Sequence, residues 1–298
     1  MQNVKKHTLT RTSGEKRSKR LKKAEKKRRT RRPLRPGGLI MAAAAFMLAA
    51  AYFLIVPGLG DRFRVKSRFP GAEDIVLADY PYYGSDIPES FITISGGGMT
   101  IKAPEDIVLS PSDTDSLMYM TSGRREVVLI YPPEPVDAPV AGQLQRRDGS
   151  RPSQYELSGC CAALETAYPA NVYELERLCL SLSKSDCNIR SKEVSAAYYG
   201  LSELKYGLLG GDLAGGTLYS DVWSYDRGNI IGFVYRLDTA EDEGEAYLAQ
   251  LYQKGSCDTR YSVLLRAEDP ETVRCELASL HIERVPEGRQ QTAENTDE

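Results

Sequence analysis

Histidine and cysteine are the side chains most able to do chemistry in this chain, and both are scarce. His7 lies in a basic amino-terminal run, which leaves His281 as the one imidazole for any Ser-His-acid triad in the rest of the chain. No Gly-x-Ser-x-Gly elbow is present to present a nucleophile, so His281 reads as a structural residue opening a strand. The six cysteines, Cys160, Cys161, Cys179, Cys187, Cys257 and Cys275, contain no Cys-x-x-Cys spacing for zinc or thioredoxin-like redox work. Their even number reads instead as disulfides, with a Cys257–Cys275 bridge and the other four tying a helical insert together, and free buried thiols as the alternative. Asp113-Thr114-Asp115 begins like a calcium loop, but Met118 stands at the required glycine and Arg124 at the closing glutamate. The glycines from Gly210 to Gly216 have the wrong spacing for a phosphate or dinucleotide loop. No metal and no cofactor is therefore expected. Tyr219, Trp223 and Tyr225 alternate along one segment and could form an aromatic binding face for a glycan or a protein, against the alternative of plain core packing.

The elements that would position these residues follow from periodicity. Phe91–Ile94 and Met99–Ala103 flank Gly96-Gly97-Gly98 as a β-hairpin. Ser116–Met120 and Glu126–Tyr131 form a second pair, and a proline-rich linker spans 132–152. Gln154–Tyr168, Val172–Ser183 and Ser191–Leu209 carry apolar residues at helical spacing, with Asn171 as N-cap of the second. Thr217–Tyr225 and Ile230–Leu237 flank Asp226-Arg227-Gly228-Asn229, a hairpin signal. Glu241–Lys254 reads as an amphipathic helix, Arg260–Arg266 as a strand, and Asp269-Pro270-Glu271 as a helix start before a last strand at His281–Val285.

Charge is segregated along the chain. Residues 1–36 hold 16 Lys/Arg against two acids, and the remainder holds 23 Lys/Arg against 39 Asp/Glu. Between them Leu39–Val56 is a run of 18 apolar residues. At about 1.5 Å per residue such a helix approaches the roughly 30 Å of a hydrocarbon core, and the flanking cations place the amino terminus in the cytoplasm. The expected order is a disordered basic tail (1–36), a single transmembrane helix (37–60), a juxtamembrane stalk (61–74), an extracytoplasmic domain (75–286) and a disordered tail (287–298). The tail would lie on anionic lipid headgroups of the bilayer. Nucleic acid is not an expected partner, because no aromatic side chains interleave the cations for base stacking. The fold class expected is α+β, an antiparallel sheet with flanking helices.

The glycine hairpin leading into Ile101-Lys102-Ala103-Pro104-Glu105-Asp106, followed by a meander, helices, a second hairpin and a closing strand, helix and strand at Ala278-Ser279-Leu280-His281-Ile282, resembles the PsbP-like α-β-α sandwich over residues 90–285. The resemblance implies a non-enzymatic module with no catalytic residues to carry over. The inserted helices around 153–209 and the six cysteines depart from that pattern. The function expected is thus a membrane-anchored binding module of the bacterial cell envelope, recognising an envelope protein or glycan. The alternative is an anchored hydrolase acting on cell-wall polymer through paired carboxylates.

Overall fold

Two adjacent glycines with positive φ, Gly97 at 56° and Gly98 at 76°, close the first hairpin as the sequence requires, because the turn that matches strand twist needs the left-handed region at both central positions. The computed structural model describes residues 36–82, 86–110, 115–121, 125–136, 139–211, 219–238 and 244–283; both tails expected to be disordered lie outside them apart from Pro36. The chain divides into two units, Met1–Ile55 and Val56–Glu298.

In the first unit, α1 (Pro36–Ile55) is a continuous helix of 20 residues with Ile40, Met41, Phe46, Met47 and Leu48 exposed. Among the described residues no helix is long and apolar enough to cross a membrane. That finding corrects the expected single-pass anchor, its topology and the extracytoplasmic placement of the second unit.

The second unit begins with α2 (Leu59–Arg68), where a stalk is expected. Val65 on this helix and Phe69 after it are buried in the core, so residues 61–74 belong to the domain. The strands are β1 (Ala78–Asp79), β2 (Ile92–Gly96), β3 (Met99–Ala103), β4 (Val108–Ser110), β5 (Leu117–Met120), β6 (Val127–Ile130), β7 (Glu134–Pro135), β8 (Asp221–Arg227), β9 (Ile230–Leu237), β10 (Glu245–Gln253), β11 (Thr259–Ala267) and β12 (His281–Ile282). The helices are α3 (Gln154–Ala163), α4 (Val172–Ser181), α5 (Lys192–Leu208) and α6 (Pro270–Ser279).

A nine-stranded sheet runs β1-β8-β9-β10-β11-β6-β5-β4, with β7 also on β11, and a three-stranded sheet runs β12-β3-β2. Because β1 joins β8 in parallel, Ala78 opposite Trp223, the large sheet is mixed. The domain is therefore a mixed α/β fold, where a purely antiparallel α+β sheet is expected from the hairpins alone.

Alternation along the central strands sends successive side chains to opposite sides. Phe233 and Tyr235 of β9 join Leu175, Cys179, Tyr198 and Leu201 on the helical side. Val234 joins Ile94, Ile101, Val263 and Leu277 on the side of the small sheet and α6. With both faces covered, β10 buries Ala246, Tyr247, Ala249, Leu251 and Tyr252. Such a strand loses the alternating signature of a half-exposed one, which is why Glu241–Lys254 reads as a helix in sequence.

All six cysteines are free thiols, with Cys160 partly exposed and the others buried. The expected disulfides are corrected, and the large sheet supplies the reason for the named pair. Cys257 sits in the helical-side core, whereas the Cys275 Sγ on α6 faces the Asp86 carbonyl at 3.2 Å, beyond the opposite face.

Candidate functional site

Asn171 caps α4 by accepting the Glu174 amide at 2.9 Å, and Glu174 accepts the Ala170 amide at 2.6 Å. This fixes the start of the helix and turns Val172, Leu175, Glu176 and Cys179 toward the sheet. Glu176 is thus placed at an apolar spacing and has no exposed surface. A carboxylate in that position requires partners. The β10–β11 hairpin supplies them from the helical face of the sheet. The Tyr252 hydroxyl donates to Glu176 Oε2 at 2.8 Å, and Arg260 Nη2 donates to Oε1 at 2.5 Å. Arg260 Nε donates to the Tyr252 hydroxyl at 2.8 Å and Nη1 to Glu134 Oε2, on β7, at 3.1 Å.

Electrostatics and geometry agree in this triad. Burial pushes the Glu176 carboxyl above its ordinary value, against the pull of Arg260 and the Tyr252 hydroxyl. Burial also pushes the Tyr252 phenol far up, so it stays a neutral donor. For Arg260 burial acts downward, but Glu176, Tyr252 and Glu134 together hold it above its usual value.

Above the triad opens a cleft of about 580 Å³, roofed by the segment expected to be a linker. Ala141 and Leu144 anchor that segment in the core. Beyond them it turns tightly: the Gly149 amide donates to the Arg146 carbonyl at 2.9 Å, and the Arg146 amide to the Ser150 carbonyl at 2.8 Å. Gly149 has φ 80°, a value that favours glycine. Asp148 accepts the Ser150 amide at 2.9 Å. The turn therefore presents three arginines to the cleft, Arg146, Arg147 and Arg151. Arg146 is held by Glu156 at 3.3 Å and Glu203 at 3.8 Å, and Arg147 and Arg151 lie at the solvent-exposed rim. Gln143, Gln145, Gln250 and Tyr219 add neutral polar groups to the lining. Four arginines face two glutamates, Glu134 and Glu176, and both glutamates sit on Arg260.

The aromatic row expected from sequence is divided. Tyr219 borders the cleft and packs on Tyr235, with ring centroids 5.1 Å apart. Trp223 and Tyr225 point to the other side, where Tyr80 meets Trp223 at 6.2 Å and Tyr225 at 5.7 Å. Tyr225 is fully buried and donates to the Leu277 carbonyl at 2.8 Å. His281 pairs with Thr100 at the edge of the small sheet, remote from the cleft lining. A second, smaller hollow of about 340 Å³ lies between the ends of α3 and α4, lined by Thr166, Ser181, Asp186 and Asn188 among others.

Arg146, Arg147, Arg151, Glu176, Tyr252 and Arg260 do not stand out when the chain is read for motifs. Two signals were nonetheless present: an acid inside an apolar helical stripe, and the charged cluster Arg146-Arg147-Asp148-Gly149-Ser150-Arg151 within a proline-rich stretch. No known protein family matches the chain, and no curated protein sequence matches it.

Proposed function

We propose that the second unit is a binding module whose cleft takes a small anionic ligand bearing phosphate or carboxylate groups. One observation carries the reading: arginines outnumber acids in the lining, four against two, and both of those acids are engaged by Arg260. Guanidinium groups match planar carboxylate and phosphate oxygens in a two-pronged geometry, and the rim glutamines and Tyr219 can orient the uncharged remainder of such a ligand. The same arrangement speaks for binding over carboxylate-dependent hydrolysis. Glu176 has no exposed surface from which to reach a substrate, and Glu134 shares its guanidinium partner. A non-enzymatic module is also what the PsbP-like resemblance implies.

Titration of the full chain with inorganic phosphate, pyrophosphate and citrate, followed by calorimetry and thermal shift, tests this. At least one of the three should bind and raise the melting temperature. The double variant Arg147→Ala/Arg151→Ala should weaken that binding about tenfold or more, since a hydrogen bond to a charged group contributes roughly 1.5–3 kcal/mol. No binding by any of the three anions, or equal affinity in the double variant, would refute the reading.

A further inference from the structure

The second buried acid of the domain has no such triad. Glu276, on the inner face of α6, has no exposed surface, and both carboxyl oxygens lack a hydrogen-bond partner among the described residues. A buried polar group without a partner is costly, and a buried unpaired charge far more so. α6 packs on β3, β10 and β11, and the charged groups on each can be placed. Lys102 of β3 is exposed, because Met99, Ile101 and Ala103 take the core-facing positions of that strand. Arg266 of β11 lies between core-facing Leu265 and Ala267, and so points away. Glu245 of β10 is engaged by Arg236 at 3.1 Å and by the Tyr247 hydroxyl at 2.6 Å. On α6 itself Arg274 pairs with Glu271 and lies 4.0 Å over the Tyr82 ring, and Cys275 faces the Asp86 carbonyl. Among the described residues the charge that bears on Glu276 is Glu126, another acid, with Asp106, Asp269 and Glu268 around it.

We propose that α6 and β12 form a pH-sensitive latch on the small-sheet side of the domain, closed while Glu276 is the neutral acid and released as ionisation of Glu276 favours the opened chain. The latch is otherwise fastened by Val273, Leu277, Leu280 and Ile282, which are buried in the core, and by a small set of hydrogen bonds. The Tyr225 hydroxyl donates to the Leu277 carbonyl at 2.8 Å, the Lys102 amide to Ser279 Oγ at 2.8 Å, and the Glu283 amide to the Gly98 carbonyl at 2.9 Å. Burial first, and Glu126 second, hold the Glu276 carboxyl well above the ordinary glutamate value of 4.5 while α6 is docked. A raised folded value means that the docked state binds the proton more tightly than the opened one. Docking is therefore fully supported below 4.5 and weakens as pH rises toward the docked value.

Hydrogen exchange of the α6 amides, followed by mass spectrometry from pH 5 to pH 8 on the full chain and corrected for intrinsic exchange, reads the opening equilibrium. One proton released per opening predicts a rise of about tenfold per pH unit in the opening constant of the wild type. Glu276→Gln should lower that slope by about one proton, and Glu276→Met gives the same reading if the glutamine variant does not fold. A wild-type opening constant independent of pH, or equal slopes in wild type and variant, would overturn the latch.

Discussion

Arg260 is the residue on which the floor of the cleft depends, because each of its three side-chain nitrogens has a partner and one partner is a carboxylate with no exposed surface. Removing one member of a buried ion pair leaves the other uncompensated, at about 3–5 kcal/mol. Arg260→Ala is therefore expected to lower the unfolding free energy by that order in urea titration. The loss has a defined pH dependence. Without the guanidinium, burial at Glu176 is opposed by the Tyr252 hydroxyl but no longer by a cation, so its folded value rises further above the unfolded one. Stability is then retained below the unfolded value and lost as pH rises, and the variant should be less impaired at pH 5 than at pH 8. An equal deficit at both would show that Glu176 is not the source. Glu176 was visible in the sequence as an acid on an apolar stripe, but nothing there identified a partner 84 residues further along.

The segments with the clearest sequence signatures are those whose order is enforced locally. Ser153 begins α3 with a complete capping box, Asp269 begins α6 with Pro270 at its first position, and the Gly228-Asn229 turn joins β8 to β9 with Arg227 opposite Ile230. β10 is the counter-example, a strand covered on both faces whose pattern resembles a helix until its neighbours are known. Its pairing with β9 is tight at Gly232, opposite Leu251, where an added Cβ would lie 2.2 Å from the Gln250 carbonyl oxygen and 2.8 Å from the Leu251 Cα. Backbone cannot yield as a side-chain tip does. Gly232→Ala is expected to destabilise the domain by roughly 1–3 kcal/mol, seen as a fall in melting temperature. An unchanged midpoint would mean that the two strands can separate locally without loss.

Across the whole domain, a set of buried tyrosines is shifted strongly by burial. Burial is the leading cause that pushes Tyr80, Tyr198, Tyr235, Tyr247 and Tyr252 above the ordinary phenol value of 10.0. A folded value raised above the unfolded one gives stability that is intact below about pH 10 and lost as pH climbs beyond it. Lys205 acts in the opposite sense. Burial lowers it to about 8, while its Nζ donates to the Leu182 carbonyl at 2.6 Å. It therefore favours folding progressively between about 8 and its ordinary 10.5. Five phenols, together with six cysteine thiols that burial also pushes up, outweigh one amine, so the domain should unfold cooperatively in alkali, with tyrosinate absorbance and loss of circular dichroism sharing one midpoint. Tyrosinate appearing well before the loss of structure would contradict their burial.

Capping residues, turn glycines and helical stripes act over three or four positions, and for that reason α3 to α6 and both tight hairpins could be read from the chain directly. The free state of the cysteines, the division of Tyr219 from Trp223 and Tyr225, and the meeting of Glu176, Tyr252 and Arg260 required three dimensions. Each depends on which face of the large sheet a side chain occupies, and alternation assigns that face only once the strands and their neighbours are in register. The conversion of a proline-rich stretch into the roof of a cleft has the same origin. Its order comes from Ala141 and Leu144 packing into a core built by distant elements, and no local propensity specifies it.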